Sequence, residues 1–158
     1  MQLTNNAVQK DDADYGKFEE GNIISMHTLF DYIAQSKYNV NGQTKLQLME
    51  AFQQRMVTLI QDSVKAVKGK IVHQKHTFEL LGYDFILDEL LNVILIEVNT
   101  NPCLEESNNL LRRVIPRMLD DLLNVVMDPI FNKGESEQQC RAMYRSKFPL
   151  SPDVFHLT

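Results

Sequence analysis

The segment Phe78–Cys103 reads FELLGYDFILDELLNVILIEVNTNPC: two apolar runs, FELLGYDFIL and VILIEV, separated by a short acidic stretch. That is the pattern of two antiparallel strands in one hairpin. Each run carries an acid inside it, Asp84 in the first and Glu97 in the second. A carboxylate in an apolar strand loses hydration, so it has to be paired, hold a cation or lie at an exposed edge. Strand side chains alternate, so Glu97 and Asn99 share one face and Ile96 and Val98 the other. Asp84 joins Glu97 only if the connection holds an even number of residues, for example Asp88 to Leu91, or if a bulge intervenes. Two carboxylates and one amide oxygen then make a hard-oxygen set suited to Mg2+, with phosphate oxygens completing the octahedron. The same residues also read as edge charges that suppress aggregation, with Asn99 in a turn.

Upstream of the hairpin, apolar residues at Leu48, Phe52, Met56, Leu59, Ile60, Val64 and Val67 recur at spacings of three and four. They predict a long helix over 46–67, closed by Gly69 and flattered at its end by Lys65, Lys68 and Lys70, which favour the helix dipole. Before it, Ser25 is a suitable N-cap for MHTLFDYIAQSKY, whose Leu29, Phe30, Ile33 and Ala34 fall on one face. NVNGQT around Asn41 and Gly42 reads as a turn, and KDDADYGKFEEGN, with Gly16 and Gly21, as a loop. Downstream, Pro102 cannot continue a central strand. A helical period then runs from Ser107 through Leu110, Val114, Ile115, Met118, Leu122 and Val126. A kink or break is expected at Pro116 and an end at Asp128–Pro129, because proline lacks the amide donor and crowds the preceding turn. A last, weakly helical piece is expected over 135–145.

A chain of 158 residues, 44% apolar and 23% charged, has the composition of an ordinary globular domain. Its net charge of −5 argues against nucleic acid or an anionic membrane as the main partner. Cys103 and Cys140 have neither metal-site spacing nor the density of a disulfide framework, which fits a reducing, cytoplasmic setting. No apolar run reaches the length of a membrane span. His73 and His76 are three apart but lack further ligands at metal spacing, and no nucleophile elbow, HExxH or Walker loop occurs.

The hairpin with its trailing NTNPCLE resembles the C-terminal signature of the tubulin tyrosine ligase-like family of the ATP-grasp superfamily, and LTNNAVQKDDADYGKFEEGN resembles that family's HLTN segment. The two motifs occur in the family's order. The resemblance implies an α/β (α+β) fold, the C-terminal portion of an ATP-grasp domain over 1–132 with antiparallel strands packed against helices, followed by an extension over 133–158. It implies an ATP-dependent ligase that adds an amino acid, glutamate being expected, to tubulin through an acyl phosphate. Mg2+ and ATP are the implied cofactors. Asp84, Glu97 and Asn99 match the family's magnesium and phosphate ligands, and Thr4 and Asn5 match its nucleotide-site threonine and asparagine. Gln2 stands where the family has histidine. The family's upstream lysines and adenine-clamping strands have no counterpart, so the chain is expected to lack half of the ATP site and to be poorly active alone.

Arg112, Arg113 and Arg117 lie close together on the predicted last helix and could face an acidic tubulin tail, or simply solvent. The implied partners are tubulin or microtubules and a free amino acid, for a monomer of the cytoplasm, cytoskeleton or cilium. A truncated, non-catalytic microtubule-binding module is the alternative.

Overall fold

The computed structural model describes residues 9, 12–17, 20–72, 74 and 77–131, with side chains as far as Met127. Among the described residues the fold is α+β, with three α-helices of two turns or more and a two-stranded antiparallel sheet. The elements are α1 (Met26–Gln35), α2 (Lys45–Val67), β1 (Gly82–Leu87), β2 (Val93–Asn99) and α3 (Leu111–Phe131). The described residues divide into two compact units, one within residues 29–103 and one combining those up to 28 with those of 104–131. Among the described residues no helix is long and apolar enough to cross a membrane.

In the first unit α1 contributes Phe30 and Ile33 to the core, and α2 contributes Leu48 and Met49. The Phe30 and Phe52 rings meet edge to face at 5.2 Å, joining the two helices. Both helices start where expected. Ser25 Oγ accepts the Thr28 amide, capping α1. At α2, Thr44 accepts from the Gln47 amide while the Gln47 side chain accepts from the Thr44 amide, a reciprocal capping box. The turn between the helices uses Gly42 at φ 60°, in the left-handed region. α2 ends at Val67, as expected, with Lys68 as its cap in a right-handed conformation and Gly69 inside a short 3-10 turn, Lys68–Lys70.

The hairpin's inner face is Tyr83, Phe85, Leu87, Val93 and Leu95, of which Val93 is buried, and β2 packs against α2. An isolated two-stranded hairpin is marginal in water, so this packing holds it. The Tyr83 hydroxyl lies 2.9 Å from Ser63 Oγ, pinning β1 to the helix. Gly82 is required for packing: a Cβ there would lie 2.9 Å from Cβ of Pro102, three residues beyond β2.

In the second unit α3 begins with Asn108 as N-cap, its Oδ1 accepting the Leu111 amide at 2.8 Å, while the residue itself is only 1% exposed. Glu20 accepts from both the backbone amide and the side-chain amide of Asn109, tying the loop that precedes α1 to this helix start. Neither proline interrupts α3, which runs unbroken through Pro116 and Pro129 to Phe131. The correction at Pro116 has a simple cause. The carbonyl left without a donor belongs to Arg112, and both residues face solvent, where water replaces the missing bond. The helical piece expected over 135–145 lies outside the described residues.

Candidate metal and phosphate site on the hairpin

The connection from β1 to β2 contains five residues, Asp88 to Asn92, an odd number. The pairs Leu87–Val93, Ile86–Ile94 and Phe85–Leu95 follow from it. Continued unchanged, that register would set Asp84 opposite Ile96. A bulge between Asp84 and Phe85 instead absorbs Ile96 and sets Asp84 opposite Glu97, with Tyr83–Val98 and Gly82–Asn99 beyond. The parity condition is thus met by a register shift and not by the four-residue connection.

Asp84, Glu97 and Asn99 consequently gather on the outer, solvent-facing side of the hairpin. The Asn99 side-chain amide donates to Asp84 Oδ2 at 3.1 Å and to Glu97 Oε1 at 3.2 Å, bridging the two carboxylates. One amide group cannot neutralise two negative charges. The Asp84 pKa is raised above the ordinary aspartate range, first by partial burial, then by the hydrogen bond and charge of Glu97, with Asn99 opposing. The cluster therefore has an unmet demand for positive charge. Ile86, Ile94 and Ile96 of the same strands are also exposed. Among the described residues no group of three or more His, Cys, Asp or Glu side chains is placed to hold a metal, and Asn99 turns its NH2 group, not its oxygen, toward the two acids.

Thr4, Asn5, His73, His76 and Cys140 lie outside the described residues. Arg112, Arg113 and Arg117 are exposed on α3, and Arg112 donates to Asn109 Oδ1 at 3.5 Å. Cys103 is a free, exposed thiol. Sequence reasoning missed Asp88, whose Oδ1 accepts the Leu90 and Asn92 amides and whose Oδ2 accepts the Asn92 side-chain amide. These bonds hold its pKa below the ordinary aspartate range. The legible signal was an acid at the head of the connection with asparagine four residues on.

The family model for the tubulin-tyrosine ligase family matches residues 1–137, and the chain belongs to that family. It is 35% identical over 139 residues to the probable tubulin polyglutamylase ttll-9 of Caenorhabditis elegans, covering 85% of this chain and 31% of that protein. It is 30% identical over 130 residues to tubulin glycylase 3D of Tetrahymena thermophila, covering 80% of this chain and 12% of that protein. It is 27% identical over 148 residues to the human inactive polyglycylase TTLL10, covering 94% of this chain and 22% of that protein. The chain thus spans between about an eighth and a third of the length of these relatives. No solved structure matches it.

Proposed function

We propose that this chain supplies the magnesium- and phosphate-holding hairpin of an ATP-dependent ligase that adds an amino acid, glutamate in the first instance, to tubulin. In the proposed reaction ATP phosphorylates a substrate carboxylate and the incoming amine displaces the phosphate, forming an amide. The observation that carries the reading is the direct pairing of Asp84 with Glu97 and the bridging of both by Asn99.

The donor set fits a hard divalent cation. Asp84 and Glu97 supply two carboxylates, and rotating the Asn99 amide by half a turn replaces its NH2 group with an oxygen. A bound Mg2+ would supply charge neutralisation for transferring phosphate oxygens. The chain's own residues do the positioning. The bulge at Ile96 aligns the carboxylates, α2 holds the strand pair rigid through Tyr83, and Asn99 keeps the two acids together while no cation is present. Thr4 and Asn5 are assigned to the nucleotide and amino-acid end of the site, and Arg112, Arg113 and Arg117 to an acidic protein substrate. Glutamate as the added residue has the support of the polyglutamylase relative, and glycine is the alternative that the glycylase relative suggests.

A second reading has one observation in its favour: a relative covering 94% of the chain carries the name of an inactive enzyme. On that reading the chain is a non-catalytic tubulin-binding module. A single experiment separates the two. Titrating Mn2+ into the 15N-labelled chain should broaden the resonances of Asp84, Glu97 and Asn99 before any others, and Glu97→Gln should remove the effect. Uniform broadening, or broadening unchanged in Glu97→Gln, removes the metal assignment. Labelled glutamate, glycine and tyrosine offered to a full-length ligase carrying this segment, with tubulin and ATP, then identify the added residue.

A further inference from the structure

On the outer side of the hairpin the pairs Asp84–Glu97 and Gly82–Asn99 mark four outward positions. Residues two apart on a strand point the same way, and paired residues share a face. Three of these corners carry the oxygen-bearing side chains of the candidate site, and the fourth, Gly82, carries none. Its place is filled from further along the chain. After β2 ends at Asn99 the chain bends at Thr100 and Asn101 and brings Pro102 back onto the strand pair. A Cβ on Gly82 would lie 2.9 Å from Pro102 Cβ, 3.7 Å from Asn99 Cβ and 3.8 Å from Pro102 Cα.

Gly82 is therefore demanded by space and not by backbone conformation, since it does not share the positive φ of Gly16, Gly21 and Gly42. A glycine inside a strand weakens it, and its usual reason is the close approach of another backbone. No rotamer relieves the overlap, because Pro102 Cβ belongs to a ring closed onto the main chain. Pro102 is half-buried while Thr100, Asn101 and Cys103 beside it are exposed, so the proline is the residue of this bend that packs. Lacking an amide hydrogen, it leaves no donor unpaired there. Both ends of the stretch 99–102 thus rest on one residue: Asn99 by strand pairing and Pro102 by contact.

We propose that Gly82 and Pro102 are positioning residues for Asn99. With the bend anchored at both ends, the Asn99 amide is held over Asp84 and Glu97, where it bonds both acids and can turn its oxygen to a cation without leaving the site. This rests on the magnesium and phosphate reading of the hairpin, and the test separates the two.

In the 15N-labelled 158-residue chain the Asn99 side-chain NH2 peaks report its bonds to the acids with no metal added, and Mn2+ broadening reports the cation. Gly82→Ala should move those peaks toward free-amide positions and weaken Mn2+ binding at least about tenfold, the scale of losing a residue that orients a metal ligand. Pro102→Gly introduces no overlap and should act in the same direction, by about threefold. In Gly82→Ala/Pro102→Gly the methyl group enters the space the ring vacates, so both readouts should return most of the way to the parent. The Val93 peak, from the buried inner face, should stay in place throughout. Asn99 NH2 peaks unmoved in both single variants overturn the proposal. So does a double variant no better than Gly82→Ala, since the loss then arises in the strand and not in the contact. Where Gly82→Ala costs the hairpin itself, read as loss of the Val93 peak, Pro102→Gly alone decides. A parent chain without selective Mn2+ broadening removes the metal reading, and the NH2 peaks still decide the positioning.

Discussion

Asp84 and Asp88 lie four residues apart on one hairpin and are held in opposite ways. Asp88 receives three hydrogen bonds from its own connection, and its pKa is lowered by them. Asp84 faces Glu97, receives one bond from Asn99, and its pKa is raised. The first is a carboxylate whose charge the fold satisfies. The second is a carboxylate whose charge the fold leaves in deficit, beside another like it. A demand of that kind, on a solvent-facing side of a packed hairpin, is what a ligand of opposite charge can meet. The comparison teaches that an acid inside a strand pair is informative through its partners and not through its presence.

The comparison breaks most visibly at Glu97. In a full-length ligase carrying this segment, Glu97→Gln should lower ATP-dependent addition of the amino acid at least about hundredfold while circular dichroism stays unchanged. Full activity would mean that the paired acids serve only the fold. The next effect belongs to Asp88. Asp88→Ala should lower the thermal midpoint by several degrees, because two backbone amides and the Asn92 side chain lose their acceptor. Asp84→Asn should do the reverse at pH 7, leaving the midpoint level or slightly higher, since it removes one of two facing charges, and should still abolish selective Mn2+ broadening. Equal destabilisation by both variants would erase the distinction between the two aspartates.

The smallest effect is in pH dependence. A raised pKa means that the folded state takes up a proton more readily than the unfolded one, so Asp84 adds stability as pH falls through its raised value, above the ordinary aspartate range. A lowered pKa means that Asp88 contributes stability above the ordinary value and loses it as pH falls through the lowered one. Urea midpoints followed from pH 7 downward should therefore show a shallow rise and then a fall. Asp84→Asn removes the rise and Asp88→Asn softens the fall. A profile indifferent to both substitutions would contradict these opposite environments.

Helix positions were legible because their signals are local. Ser25 before Met26, the three-and-four spacing behind Leu48 and Phe52, and the turn at Gly42 each depend on a few neighbouring residues. The strand pair was legible from its two apolar runs, although β1 begins at Gly82 and not at Phe78. The proline rule misled at Pro116 and Pro129, where the helix continues, and at Pro116 the residue and the carbonyl it leaves unbonded both face solvent. The family was also legible, in the GYDF and IEVN residues of the two strands, which the family match over residues 1–137 bears out.

By itself the sequence determined that Glu97 and Asn99 share a face, because alternation along a strand is a property of the backbone. It also determined that Asp84 needed an even connection or a bulge to face them. Which of the two occurs was decided only by the folded hairpin. Asp88 closes a five-residue connection, α2 packs against β2 and bonds Tyr83 of β1 through Ser63, and Ile96 is absorbed as the extra residue. Register is a balance between a turn at one end and packing along one side, and that balance is set across the tertiary contact and not within either strand.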